Sequence, residues 1–172
     1  MAHADVVLVL GSRTDLPVAT GSDIYQIFEF AGIEWQLAFF SAHRHPEELM
    51  KYLRDRWAEG TSVFIAAVGL KPDLPAAIAA YLPAAVVIGV AKTTPELGVA
   101  DPASSIVAMP PGKPVLVAGY NSVGLTNAAL GAWQVLSVGK RARQDQLAEF
   151  LKAYKTGPDS DVPIEAAKKG GA

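Results

Sequence analysis

VVLVLGSRTD, residues 6–15, joins five consecutive apolar residues to a short polar turn. A continuous β-branched run of this kind is a strand buried on both faces, because a strand with one wet face would alternate. Gly11 bounds the run. Ser12, Thr14 and Asp15 are all competent helix N-caps, and Pro17 suits a first helical turn. Strand, turn and helix make up the repeating unit of a parallel sheet.

The same unit recurs along the chain. A helix over 16–31 would turn Val18, Ile24, Ile27, Phe28 and Ala31 inward and stop at Gly32. EWQLAFF (34–40) reads as the second strand. A helix opens at Pro46, with Glu47 and Glu48 near its positive end, and runs to about Glu59 and Gly60. SVFIAAV (62–68), AAVVIGVA (84–91) and KPVLVAGY (113–120) are the remaining strands. Short helices are expected at 75–82 and at SSIVAM (104–109), the latter capped by Asp101. An apolar helix over 125–138 continues through RARQDQLAEFLKAYK to 155. Alternating strands and helices mean a central parallel sheet covered on both faces by right-handed crossovers. One α/β domain over 1–155 is expected, with a loose polar tail over 156–172.

Composition narrows the function classes. With 51% apolar and 19% charged residues, the chain of 172 residues is globular rather than disordered. A net charge of −2 provides no basic field for nucleic acid or an anionic membrane. There is no cysteine, so thiolate chemistry and disulfides are excluded. VVLVL is too short for a membrane span or a secretion signal, so a soluble cytoplasmic protein is expected. The alanine-rich, weakly polar segments point to more buried surface than one small chain needs, hence to an oligomer.

Ligands of such folds bind beyond the carboxyl ends of the strands. Four loops leave those ends: GSRTD, SAHRHP (41–46), GLKPDLP (69–75) and the one after Tyr120. GSRTD offers Gly11 backbone, two hydroxyls and a helix start. It reads equally as a phosphate or ribose cradle and as ordinary capping by Ser12 or Asp15. It is neither a Walker loop nor a dinucleotide fingerprint. SAHRHP offers the hydroxyl of Ser41, an imidazole at His43 and a planar cation at Arg44. Imidazole is the side chain suited to proton transfer near neutrality, and guanidinium binds phosphate bidentately. Against this stands an exposed turn facing water, but the position behind Phe39 and Phe40 at a strand exit favours function. His45 reads as a surface residue at the helix start. Two histidines at i and i+2 do not make a zinc site, so no metal is expected. Lys71 and Asp73 read first as a solvated loop pair. Asn121 and Asn127 are either ligand contacts or caps of the helix near Leu125. Trp35, Trp57 and Trp133 read as packing residues.

In order and spacing these pieces resemble the enzymes that place a carboxyl group on aminoimidazole ribonucleotide in purine synthesis. That family comprises carboxyaminoimidazole ribonucleotide mutases and direct aminoimidazole ribonucleotide carboxylases. The resemblance covers about residues 6–136. GSRTD matches the family's GS-x-S-D, SAHRHP its SAHR-T-P, SSIVAMPPGKPV (104–115) its S-IV-MP-G-PV, and NAALGA (127–132) its NAGLLA. Gly32–Ile33 and Leu74–Pro75 match as well.

The resemblance implies a three-layer sandwich of flavodoxin-like or Rossmann-like type and a homo-oligomer, usually an octamer. It implies a small nucleotide substrate, carbon dioxide, and no cofactor. Gly11, Ser12 and Asp15 would lie at the ribose phosphate end. Ser41 and Arg44 would hold the nucleotide, and His43 would carry protons. Gly69, Lys71 and Asp73 belong to the loop that faces the substrate carboxylate. That loop departs from the family pattern: AAVGLKPDLPA (66–76) stands where mutases read AGAGGAAHLPG, and Asp73 replaces a second histidine. Arg44 is the mutase choice, whereas the altered loop and TTPELGVADPASS (93–105) are closer to the direct carboxylases. Three readings follow: mutase, direct carboxylase, and a non-catalytic or re-purposed relative binding a nucleotide or another small acid.

Overall fold

The computed structural model describes residues 3–69, 73–93 and 106–154. Its strands are β1 (Val6–Leu10), β2 (Trp35–Phe39), β3 (Val63–Val68), β4 (Val86–Ala91) and β5 (Leu116–Tyr120). Its helices are α1 (Leu16–Thr20), α2 (Ile24–Ala31), α3 (Pro46–Ala58), α4 (Asp73–Tyr81), α5 (Asn121–Leu136) and α6 (Arg141–Tyr154). The strands form one sheet in the order β2-β1-β3-β4-β5, with every pairing parallel. That is the flavodoxin-like order, and the expected three-layer sandwich follows from it.

β1 shows why the apolar run is unbroken. Val6, Leu8 and Leu10 face the core shared with α1, α2, α5 and α6. Val7 and Val9 face the opposite core, shared with α3 and α4. All five side chains are fully buried, each worth roughly 1.5–3 kcal/mol relative to exposure. The outer strands differ: β2 is mostly half-buried, and β5 exposes Leu116 and Val117.

Several elements depart from the sequence reading. The helix expected over 16–31 is two helices. The backbone N–H of Gly21 ends α1 on the Pro17 carbonyl, and Ser22 and Asp23 restart the chain into α2. The break lets Ser122 Oγ donate to the Val18 carbonyl at 3.0 Å and Asp23 N–H donate to Thr126 Oγ1 at 3.1 Å. These bonds tie both short helices to α5. The last long helix is also two, parted at Gly139, whose φ of 73° only glycine adopts easily. α5 begins at Asn121, four residues before Leu125. α6 is pinned back by Tyr154, whose hydroxyl donates to Asp23. Burial first, and then this bond, push the Tyr154 phenol up to about 12. Gly32 does stop α2, in the left-handed conformation. Of the three tryptophans, Trp133 is fully buried and Trp35 packs on the core, but Trp57 is exposed rather than packed. Positions 106 and 107 of SSIVAM are helical. The rest of that segment, Asp101 and the 156–172 tail lie outside the described residues.

α5 presses on the sheet through glycines. The β4–β5 register slips, from Gly89 opposite Val117 to Val90 opposite Gly119. Gly119 takes a φ of 116° at that irregularity. A Cβ on Gly124 would stand 2.6 Å from the Gly119 carbonyl carbon and 2.8 Å from Val90 Cγ1. No flexible side chain can yield there, because the nearest atom is backbone. Gly124→Ala should therefore lower stability by about 1–3 kcal/mol, the cost of overpacking a close-packed core, read from urea unfolding midpoints. An unchanged midpoint would show that α5 can move away from β5 freely.

Candidate active site

With all strands parallel, their carboxyl ends share one edge of the sheet. β1 connects outward to β2 on one side, and β3 leads to β4 and β5 on the other. The order of connection therefore reverses between β1 and β3, the switch point beside which ligands of such folds bind. Gly11, at the end of β1, donates its N–H to the Ala67 carbonyl of β3 at 3.2 Å. A Cβ on Gly11 would meet Val68 and Asp15 only at ordinary contact distances, so the site does not demand glycine sterically.

The GSRTD turn is a 3-10 turn over Arg13–Asp15. Ser12 caps it: Oγ accepts from Thr14 N–H at 3.3 Å and from Thr14 Oγ1 at 3.0 Å. The capping reading is thus realised for Ser12. Asp15 begins α1 but makes no capping bond with its side chain. Its buried carboxylate instead accepts from Lys92 Nζ at 2.6 Å. Arg13 lies over the Phe39 ring at 5.1 Å, which ties the turn to the end of β2.

The SAHRHP loop leaves β2. Ser41 Oγ accepts the Arg44 N–H at 3.3 Å, and the Ser41 carbonyl accepts the His45 N–H at 3.0 Å. These two bonds fold the loop into a turn that displays His43 and Arg44. His45 is the N-cap residue of α3, and the Leu49 N–H donates to its carbonyl. Its side chain is exposed, as the sequence reading had it. Among the described residues the Arg44 guanidinium has no side-chain partner, so it remains available to an anion.

Asp73 is the first residue of α4, at the exit of β3. α3 and α4 lie side by side on one face of the sheet, with their N-terminal ends at the carboxyl edge. His43 Nε2 and Asp73 Oδ2 meet there at 2.7 Å. The contact links loops after β2 and β3, strands separated by β1 and so about 10 Å apart. Asp73 is therefore not a free loop charge. Gly69 is half-buried at the end of β3, and Lys71 lies outside the described residues.

Two polar residues escaped the sequence reading. Lys92 and Thr93 leave β4, and Thr93 N–H donates to Asn121 Oδ1 at 3.0 Å. Asn121 has a φ of 52° and opens α5, so its side chain serves the β4 exit rather than a cap near Leu125. The available signal was position: Lys92 follows an apolar strand directly, as Gly11 and Ser41 do. Asn127 reaches back to the Ala118 carbonyl at 3.5 Å. Among the described residues no cluster of three or more metal-ligating side chains occurs. None of the described helices is long and apolar enough to cross a membrane.

Because the Asp15 carboxylate is buried and Lys92 is its ion-pair partner, Lys92→Met should cost about 1–3 kcal/mol, the scale of an unsatisfied buried acceptor. Adding Asp15→Leu should recover part of that loss in a double-mutant cycle of unfolding free energies. Strict additivity would mean that the pair does not interact in solution.

Comparison with known proteins agrees with this architecture. A family model described as AIR carboxylase matches residues 5–157. An N5-carboxyaminoimidazole ribonucleotide mutase of Pyrococcus abyssi is 37% identical over 150 residues, covering 87% of this chain and 81% of that one. The enzyme of the same name from Thermotoga maritima is 34% identical over 166 residues, covering 95% and 90%. The Escherichia coli enzyme is 34% identical over 152 residues, covering 87% of each. A crystal structure of PurE from Treponema denticola superposes with a TM-score of 0.76 at 21% identity, over 87% of this chain and 90% of that one. With the motifs, the fold and the matches coinciding over most of the chain, this protein belongs to the AIR carboxylase family.

Proposed function

We propose that the protein interconverts N5-carboxyaminoimidazole ribonucleotide and 4-carboxy-5-aminoimidazole ribonucleotide in purine biosynthesis, with His43 as the proton carrier. The observation that carries this reading is the 34–37% identity over most of both chains to mutases of that name. Arg44 supports the same choice, being the residue mutases place after the SAH motif.

The reaction balances without a co-reactant. The bond from the carboxyl carbon to the exocyclic nitrogen breaks, its electron pair stays on nitrogen, and nitrogen takes a proton. Carbon dioxide is released into the pocket. C4 of the imidazole ring then attacks its carbon, a carbon–carbon bond forms, and the C4 proton leaves. One proton enters and one departs, so a single imidazole at His43 gives the first and takes the second. Arg44 presents a planar fork to the phosphate or carboxylate, and Asp15 an acceptor to a ribose hydroxyl. Gly11, Ser12, Ser41 and Gly69 offer backbone and hydroxyl contacts around the nucleotide, with Lys71 and Asp73 on the neighbouring loop. The scheme asks nothing of a metal or cofactor.

The working form is a homo-oligomer, an octamer by family resemblance, with carbon dioxide held in a site closed by neighbouring subunits. β5 supports assembly. It ends the sheet, and Leu116, Val117, Tyr120 and Val123 around it are exposed large apolar residues. A soluble enzyme of this class works in the cytoplasm.

The test is a pair of absorbance assays on the purified protein. One cuvette holds N5-carboxyaminoimidazole ribonucleotide; the other holds aminoimidazole ribonucleotide with bicarbonate. Turnover in the first is expected, with His43→Asn folded and at least about 100-fold slower, the scale of lost general acid–base catalysis. Turnover only in the second would make the protein a direct carboxylase. Near-normal rates for His43→Asn would remove the histidine from the mechanism.

A further inference from the structure

We infer that Asp73 is a positioning residue: it holds the His43 imidazole by Nε2 and turns Nδ1 toward the substrate as the nitrogen that exchanges protons. The inference rests on His43 being the proton carrier. It gives a role to the residue that departs most sharply from the family pattern.

The geometry is specific. His43 Nε2 lies 2.7 Å from Asp73 Oδ2. A carboxylate oxygen only accepts, so the hydrogen of this bond sits on Nε2. That leaves Nδ1 as the ring nitrogen free to accept or donate a proton. Through the cycle Nε2 keeps its hydrogen, donated to the Asp73 carboxylate. Nδ1 gives its proton to the exocyclic nitrogen as the carbon–nitrogen bond breaks, and Nδ1 then receives the proton leaving C4. The two half-reactions need the imidazole in one orientation, because the ring that delivers the first proton must be in reach of the second. A carboxylate behind an imidazole supplies that constraint, as in other acid–base sites.

Location favours positioning over stabilisation. Both side chains are more than half exposed, at 57% and 56%. An ion pair so exposed adds little to folding. Yet it joins residues 30 apart in sequence, and it ties the entry of α3 to the first residue of α4. The aspartate thus meets the histidine from the neighbouring loop, without entering the space on its Nδ1 side.

The test uses the assembled full-length protein labelled with 15N-histidine. The chain has three histidines, so the spectrum of His43→Asn identifies the His43 resonances by subtraction. Asp73→Ala should lower kcat by about 10- to 100-fold, the scale found when a carboxylate that orients a metal-bound histidine is removed. KM and the thermal midpoint should stay near those of the parent. Its His43 nitrogen resonances should move toward each other as the two tautomers interchange. Asp73→Glu, which keeps a carboxylate acceptor, should retain more of kcat and of the parent nitrogen pattern than Asp73→Ala. Parent kcat and parent resonances in Asp73→Ala would overturn the inference. A raised KM with unchanged kcat would also overturn it, by making Asp73 a substrate contact. If His43→Asn is inactive while Asp73→Ala is untouched, this inference alone falls; if His43→Asn turns over normally, the proton-carrier reading falls with it.

Discussion

The constraint on which this molecule depends is the double burial of β1. Its five residues are hydrogen-bonded to β2 on one side and β3 on the other, and both faces are covered by helices. A strand in that position tolerates no polar side chain, and every chemical group must wait until it ends. The same holds for β3 and most of β4. Chemistry is therefore displaced to the carboxyl ends of the strands. Because all five run in parallel, the loops bearing Gly11, His43, Asp73 and Lys92 arrive at one edge. The reversal of strand order beside β1 marks the place where ligands of such folds bind.

Two ion pairs at that edge illustrate how burial divides labour. Asp15 and Lys92 meet at 2.6 Å with the carboxylate almost wholly buried, so each needs the other and the pair fixes the exits of β1 and β4. His43 and Asp73 meet at 2.7 Å with both groups open to solvent, so the contact does little for folding and remains available to a reaction. Arg44 stands beside them as a cation with no side-chain partner among the described residues.

Much of this was legible in the sequence, because local patterns report local physics. The continuous run at 6–10 specified a doubly buried strand. Pro46 followed by two glutamates marked the start of α3, and Gly32 the end of α2. The motifs GSRTD and SAHRHP stand at the exits of β1 and β2. What escaped depends on residues far apart. The break at Gly21 exists because Ser122 and Thr126, a hundred residues on, hold the two short helices separately. The signal at Gly21, Ser22 and Asp23 was outweighed by the helical spacing of apolar residues around it. Lys92 gained meaning only through Asp15, 77 residues away. Asp73 read first as a solvated loop charge, standing where mutases have a second histidine. Its partner is His43, and no local pattern reports that pairing.

In the proposed reaction a nucleotide lies along the carboxyl edge between β1 and β3, with its imidazole ring against His43. The most direct test is a crystal structure of the assembled protein with 4-carboxy-5-aminoimidazole ribonucleotide. The ring's C4 carboxylate is expected within hydrogen-bond reach of His43 Nδ1, the ribose near Asp15 and an anionic group on Arg44. A nucleotide bound elsewhere, or one whose ring lies away from His43, would contradict it.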